Sequence, residues 1–262
     1  MLTLRSRAGR SSHATDARTV ATAARPGAVR TRPGRSARRA GAGHLRGLRR
    51  RPGQLCPACR HTLATARPGP CAALPWTHAA APYEGPVRRL LLAHKERGAL
   101  RLAGPLGEAL ARAVRSALGP RTGQFPLLLV PVPSARAAVR ARGHDPTLRL
   151  AGAAARALRR EGLDARAAPL LRHLRPVADQ AGLPAAERRR NLHGALTVRP
   201  LGPRPPGGRR PVLVDDLVTT GASLAEAARA LSAAGLPPHA AATVAAAGAD
   251  RRHADGPGDQ PG

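Results

Sequence analysis

The chain is nearly devoid of aromatic side chains and of lysine. Trp76, Tyr83 and Phe125 are the only aromatics among 262 residues, Lys95 is the only lysine, Asn191 the only asparagine, and isoleucine is missing. Three aromatics do not furnish the stacking platforms on which single-stranded nucleic acids are usually held. The formal charge of +29, from 44 basic against 15 acidic residues, is therefore not by itself a nucleic-acid signature. The skew toward Arg, Ala, Gly and Pro has the look of a nucleotide-composition bias, so part of that charge is read as drift. Long apolar runs are missing too. No stretch of 18 or more apolar residues occurs and the N-terminus carries no apolar signal-like region, so the expectation is a cytoplasmic protein without membrane insertion. Cysteine is scarce: Cys56, Cys59 and Cys71 are an odd count, which suits a reducing compartment or a metal site better than a disulfide framework.

What remains is enough for one core of ordinary size or two small ones. Residues 1–54 hold fourteen arginines and a single acid, Asp16, with no helical or strand period, and are read as a disordered Arg-rich arm. Its charge suits a polyanion, but an unselected tail reads the same way. Residues 55–82 form a cysteine segment, 83–248 one domain, and 249–262 a second disordered tail. Within the domain, Val87, Leu90, Leu91 and His94 keep the i, i+3, i+4, i+7 spacing of an amphipathic helix, as do Leu106, Leu110, Ala113 and Ala117 before Gly119-Pro120. The apolar runs 127–132, 211–216 and 240–247 are strands covered on both faces, and 167–171 is a weaker one. Asp145 followed by Pro146 starts a helix running to about Gly162, with Leu148, Ala151, Ala154, Ala155 and Leu158 inward. Residues 172–210 are irregular and read as a functional flap. Alternating strands and helices predict an α/β fold with a parallel sheet flanked by helices.

The chemistry concentrates in Val212-Leu213-Val214-Asp215-Asp216-Leu217-Val218-Thr219-Thr220-Gly221-Ala222-Ser223-Leu224. A buried strand delivers two carboxylates at its carboxyl end, then a loop of hydroxyls and Gly, then a helix, which is where ligands sit in open α/β sheets. Thr219, Thr220, Gly221, Ala222 and Ser223 offer backbone N–H groups, hydroxyls and the positive end of a helix dipole, a fit for phosphate. Asp215 and Asp216 repel phosphate; acceptor-only carboxylates suit sugar hydroxyls or a hydrated metal ion. Phosphate, polyol and Mg²⁺ together describe a ribose 5-phosphate ligand.

This stretch resembles the phosphoribosyl-diphosphate (PRPP) motif of type I phosphoribosyltransferases. Further pieces resemble one branch of them, the competence-related ComF family: Cys56-x-x-Cys59 with Cys71, Tyr83-x-Gly85-x-x-Arg88, Lys95 with Gly98, Val130-Pro131-Val132-Pro133, Arg140-x-Arg142-Gly143, and Gln180-x-x-Leu183 leading to Glu187-Arg188-x-x-Asn191. The only lysine, the only asparagine and one of three aromatics all fall on this pattern, where drift would scatter them. A solvated charge at a helix end is the plain alternative for Lys95. The resemblance implies a type I phosphoribosyltransferase-like sheet with a small zinc-finger-like segment at its N-terminal side, and Asp215 and Asp216 at the catalytic centre. It implies a diphosphate loop and hood drawn from Lys95, Ser134, Arg140, Arg142, Gly143, Gln180, Arg188 and Asn191, and Mg²⁺ accompanying PRPP. The family pattern continues after Arg142-Gly143 with Phe-Asn-Gln, whereas this chain has His144-Asp145-Pro146.

Cys56, Cys59 and Cys71 have the spacing of three zinc ligands, with Leu74 at the position expected for a fourth and His61 or His78 as substitutes. Zinc and free thiols both remain open. Two functions also remain open: transfer of a phosphoribosyl group to an unknown acceptor, and, as membership of a competence-related family implies, DNA uptake with single-stranded DNA and competence proteins as partners and no turnover. A PRPP sensor without turnover is a third.

Overall fold

A computed structural model describes residues 55–175, 185–200 and 208–248 of the chain. The arm 1–54, the tail 249–262 and Gln180 lie outside the described residues, as does the side chain of Arg188. The helices are α1 (Pro57–Thr65), α2 (Gly85–Glu96), α3 (Ala103–Leu118), α4 (Arg136–Arg142), α5 (Pro146–Arg160), α6 (Ala185–Leu192) and α7 (Ala222–Ala233). The strands are β1 (Gly69–Cys71), β2 (Leu74–Pro82), β3 (Leu127–Pro131), β4 (Ala165–Ala167), β5 (Leu171–His173), β6 (Leu196–Val198), β7 (Arg210–Val218) and β8 (Ala240–Ala246). A six-stranded sheet in the order β1-β2-β8-β7-β3-β4 is parallel except for β1, and β5 and β6 form a separate antiparallel pair. The expected α/β class with a parallel sheet between helices is what the chain forms.

Strand alternation divides the interior into two cores. Leu127, Leu129, Val212, Val214, Ala240 and Ala242 turn toward α1, α2, α3 and α5, while Leu128, Val130, Leu213 and Ala241 turn toward α7 and the β5–β6 pair. Strand β8 reads AAATVAA, poor by β propensity but buried almost throughout. Its volume is made up by large side chains on the helices: Leu90, Leu102, Leu106, Leu110, Leu150 and Leu158 are at most 2% exposed. Each such burial contributes roughly 1.5–3 kcal/mol. Where α3 crosses α5 the backbones touch, and a Cβ on Gly107 would collide with Ala153.

Helix starts follow local chemistry. Asp145 caps α5 by accepting from Leu148 N at 3.1 Å, with Pro146 in the first turn, as its sequence predicts. Three expectations change. Leu148 is half-buried, and Leu150 takes its place inward. The weak strand at 167–171 is two strands in different sheets, parted by Pro169, which cannot donate to a ladder. Residues 172–210 are not wholly irregular: they contain α6 and β6. The segment 55–82 does not stand apart either, since β2 pairs with β8 from Thr77 to Pro82 and α1 packs Cys59 and Leu63 into the first core.

Candidate functional site

The crevice follows from the strand order. Strand β3 pairs with β7 from Leu127↔Arg210 to Pro131↔Val214, and a last bond from Val132 N to Val214 O (2.9 Å) ends the pairing. Strand β7 runs on to Val218 beside β8 alone, with Asp215 opposite Thr243. After β3 come the short α4 and then α5, which covers one face and leads to β4; the helix after β7, α7, covers the other and leads to β8. Chain connections thus diverge between β3 and β7, and the resulting gap at the strands' carboxyl ends is the topological switch point at which such sheets bind ligands.

Asp215 and Asp216 sit at this gap, inside the strand rather than beyond its end. Consecutive strand residues face opposite ways, which separates the two carboxylates. Asp216 meets α2, where Lys95 Nζ lies 2.8 Å from its Oδ2, and Asp215 lines a small hollow with the loop from Leu217 to Leu224. Asp215 Oδ1 also accepts from Asp216 N at 2.8 Å. Burial, then the neighbouring Asp216 charge, pushes the Asp215 carboxyl well above its ordinary range. Burial pulls the Lys95 ammonium down, but the charge and hydrogen bond of Asp216 outweigh it and leave Lys95 above its usual value. Adjacent acids in a low-dielectric gap need a counter-ion, and the chain supplies its only lysine.

The loop is built on Gly221. Its φ of +73° is the left-handed conformation that glycine adopts without strain, and it caps α7 by accepting from Ala225 N at 2.9 Å. A Cβ here would stand 2.6 Å from Leu74 Cγ, so the turn after β1 leans directly on the loop. Thr219 is exposed, Thr220 and Ser223 half-buried, and Ala222 opens the helix. The Ala222 N–H, first in α7, donates to Thr220 Oγ1 at 3.5 Å, and the N–H groups of a first helical turn have no intrahelical acceptors, the usual basis of an anion cradle.

The end of α2 stitches the crevice together. His94, 1% exposed, uses Nε2 to reach Pro146 O at 3.4 Å, Lys95 reaches Asp216, and Glu96 Oε1 accepts from Arg142 at 2.9 Å. His144 Nδ1 donates to Arg142 O at 3.0 Å, and its ring lies 6.2 Å from that of His94. Burial lowers the His94 imidazole below its ordinary range. Lys95 and Arg142 are therefore gathered beside the acid pair. Ser134 Oγ instead donates to Asp145 at 3.2 Å, Arg140 is exposed on α4, and Gly143 closes α4 at φ +72°. Asn191 lies at the end of α6, its carbonyl accepting from Arg175 at 2.7 Å.

Beside the crevice, β5 is tied to the loop after β3 by His173 Nε2 donating to Pro133 O at 3.1 Å. Buried Glu226 on α7 accepts from Leu196 N at 3.0 Å and from Arg229 at 2.8 Å, which pins β6 to α7. Neither Glu226 nor the Glu96–Arg142 pair is singled out by sequence. In a chain this poor in acids, a glutamate beside the apolar stripe of a helix was the available signal.

The three cysteines are not brought together. Cys59 packs in the core with α2 and α3, and Cys71 packs in the other core with Ala79 and Val218, across the sheet. His78, the possible substitute, has Nδ1 within 2.8 Å of Ser116 Oγ. Among the described residues no group of three or more His, Cys, Asp or Glu is placed to hold a metal ion. Two thiols do not make a closed structural zinc site. Among the described residues, too, no helix is long and apolar enough to cross a membrane. Comparison of the chain with protein-family models and with curated proteins returns no match.

Proposed function

We propose that this protein binds PRPP as a type I phosphoribosyltransferase-like member of the ComF family, with transfer of the phosphoribosyl group to a nitrogen acceptor as its chemistry. The observation that carries the reading is the convergence, at the switch point between β3 and β7, of the Asp215–Asp216 pair, the Gly221 loop at the start of α7, and Lys95 with Arg142. The loop takes the 5-phosphate through backbone N–H groups and hydroxyls. The acid pair takes ribose hydroxyls through its carboxylate oxygens. Lys95 and Arg142 meet the diphosphate, which competes with Asp216 for the ammonium and so frees the Asp216 oxygens for the sugar. Acceptor-only oxygens of this kind also suit Mg²⁺ carried in with PRPP, whose charge, when bound, screens the departing diphosphate. Positioning basic groups where negative charge builds up is the main contribution such a site makes.

Isothermal titration with Mg²⁺-PRPP tests this directly. Wild-type protein is expected to bind, and Asp215→Asn combined with Asp216→Asn to weaken binding at least about tenfold, a loss of about 1.4 kcal/mol. No binding heat from the folded wild-type protein at millimolar PRPP overturns the reading. Pyrophosphate release with candidate bases then separates turnover from sensing.

A further inference from the structure

The Cys56-Pro57-Ala58-Cys59 stretch is not used by the reading above; Cys71 packs in the other core, and among the described residues no group of three His, Cys, Asp or Glu gathers around the pair. What it does have is the arrangement of a reactive dithiol. Cys56 is the N-cap of α1, a helix of nine residues, and its Sγ accepts from Cys59 N at 3.3 Å. It is half-exposed, with exposed Pro57 and Ala58 beside it, whereas Cys59 is 4% exposed and faces the core. Residues three apart across a first helical turn lie within the Cα spacing a disulfide needs.

We propose that Cys56 and Cys59 form a redox-active pair that exchanges with low-molecular-weight disulfides of the glutathione type, Cys56 attacking and Cys59 resolving. The Cys56 thiolate attacks one sulfur of the small disulfide, forming a mixed disulfide and expelling one thiolate, which takes up a proton. Cys59 then gives its proton to solvent and attacks Cys56 Sγ, forming the Cys56–Cys59 disulfide and expelling the second thiolate. Two electrons leave the protein pair and two thiols are released, so the exchange balances and runs in either direction with the thiol–disulfide ratio.

The two sulfurs differ in the sense this needs. Cys56 Sγ stands at the helix start, half-exposed and open to a small disulfide, while Cys59 Sγ is buried one turn on and can be reached only from Cys56. The exposed sulfur is thus the one that attacks and the buried one waits for it, as in other CxxC pairs at helix N-termini.

The test uses the full chain equilibrated in buffers of reduced and oxidised glutathione, quenched with acid, alkylated and mapped by mass spectrometry. Wild type and Cys71→Ala are expected to pass in one two-electron transition to a Cys56–Cys59 disulfide. Cys59→Ser is expected to accumulate glutathione on Cys56. In wild type at pH 7, Cys56 should alkylate at least about tenfold faster than Cys59. Absence of the Cys56–Cys59 disulfide at every ratio in wild type overturns the proposal, as does a Cys56 alkylation profile with pH that matches the urea-unfolded chain. One zinc per chain that blocks alkylation until a chelator is added also overturns it. PRPP titration of the same reduced samples is a separate readout, so either reading can fail alone.

Discussion

Burial and the neighbouring Asp216 charge raise the Asp215 carboxyl above its ordinary range, and a stability cost follows. A carboxyl whose folded value is raised binds its proton more tightly in the native state than in the unfolded chain. Its contribution is present at low pH and is lost as pH rises from the ordinary carboxylate range, about 4, through the raised folded value. Asp215→Asn keeps the acceptor that meets Asp216 N and removes this loss. The variant is therefore expected to be more stable than wild type at pH 8, with the gap closing toward pH 4. Urea unfolding at several pH values measures it; a difference that stays constant with pH contradicts the assignment. Lys95 offsets part of the same cost through Asp216, which accounts for a lone lysine in a chain that otherwise uses arginine. A compact ammonium fits against one carboxylate oxygen where a planar guanidinium needs more room.

Among the elements, the β5–β6 pair has the least support of its own, because two short strands are marginal in water. It is held by Glu226 on α7 and by His173 against the loop after β3. Glu226→Ala leaves the Leu196 N–H without its acceptor and Arg229 without its ion-pair partner, with only the bond to Leu196 O remaining to it. The expected loss is roughly 2–3 kcal/mol, from removing a charged hydrogen-bond acceptor in a buried position. Amide hydrogen exchange at Leu196 should rise by more than tenfold while β7 and β8 keep their protection; unchanged protection at Leu196 shows that the pin is not structural. The end of α2 works in the opposite manner. His94, Lys95 and Glu96 reach α5, β7 and α4 in succession, so one helix end fixes both walls of the crevice. No periodicity reveals such a role, since His94 reads as one more position on the inward face.

For the molecule as a whole, the described residues from 55 onward by themselves close two cores around the central sheet. Removing residues 1–54 is expected to shift the thermal midpoint by less than about 2 °C, which for a domain this size corresponds to under about 1 kcal/mol. An affinity for single-stranded DNA carried by the fourteen arginines of the arm would show a steep salt dependence in the full chain. Truncation should then flatten the slope of log affinity against log salt by roughly 0.7 for each phosphate that the arm neutralises. An identical slope in both forms assigns any such binding to the folded part instead.

The order of strands and helices, the capped start of α5 and the Asp215 to Ser223 stretch could all be read along the chain. Apolar runs, Asp-Pro, and acids followed by hydroxyls and glycine act through neighbours a few residues away, so their physics is local. Residues 55–82 and 172–210 could not be read this way. Short strands such as β1, β5 and β6 carry too few residues to show a period, and they form because partners distant in sequence supply their hydrogen bonds and cover their faces. The same holds within the site. That Lys95 neutralises Asp216, that Leu74 rests on Gly221, and that Cys71 lies across the sheet from Cys56 and Cys59 follow from how the sheet is ordered and wrapped. Charge compensation and packing act between groups that folding alone brings within a few ångströms.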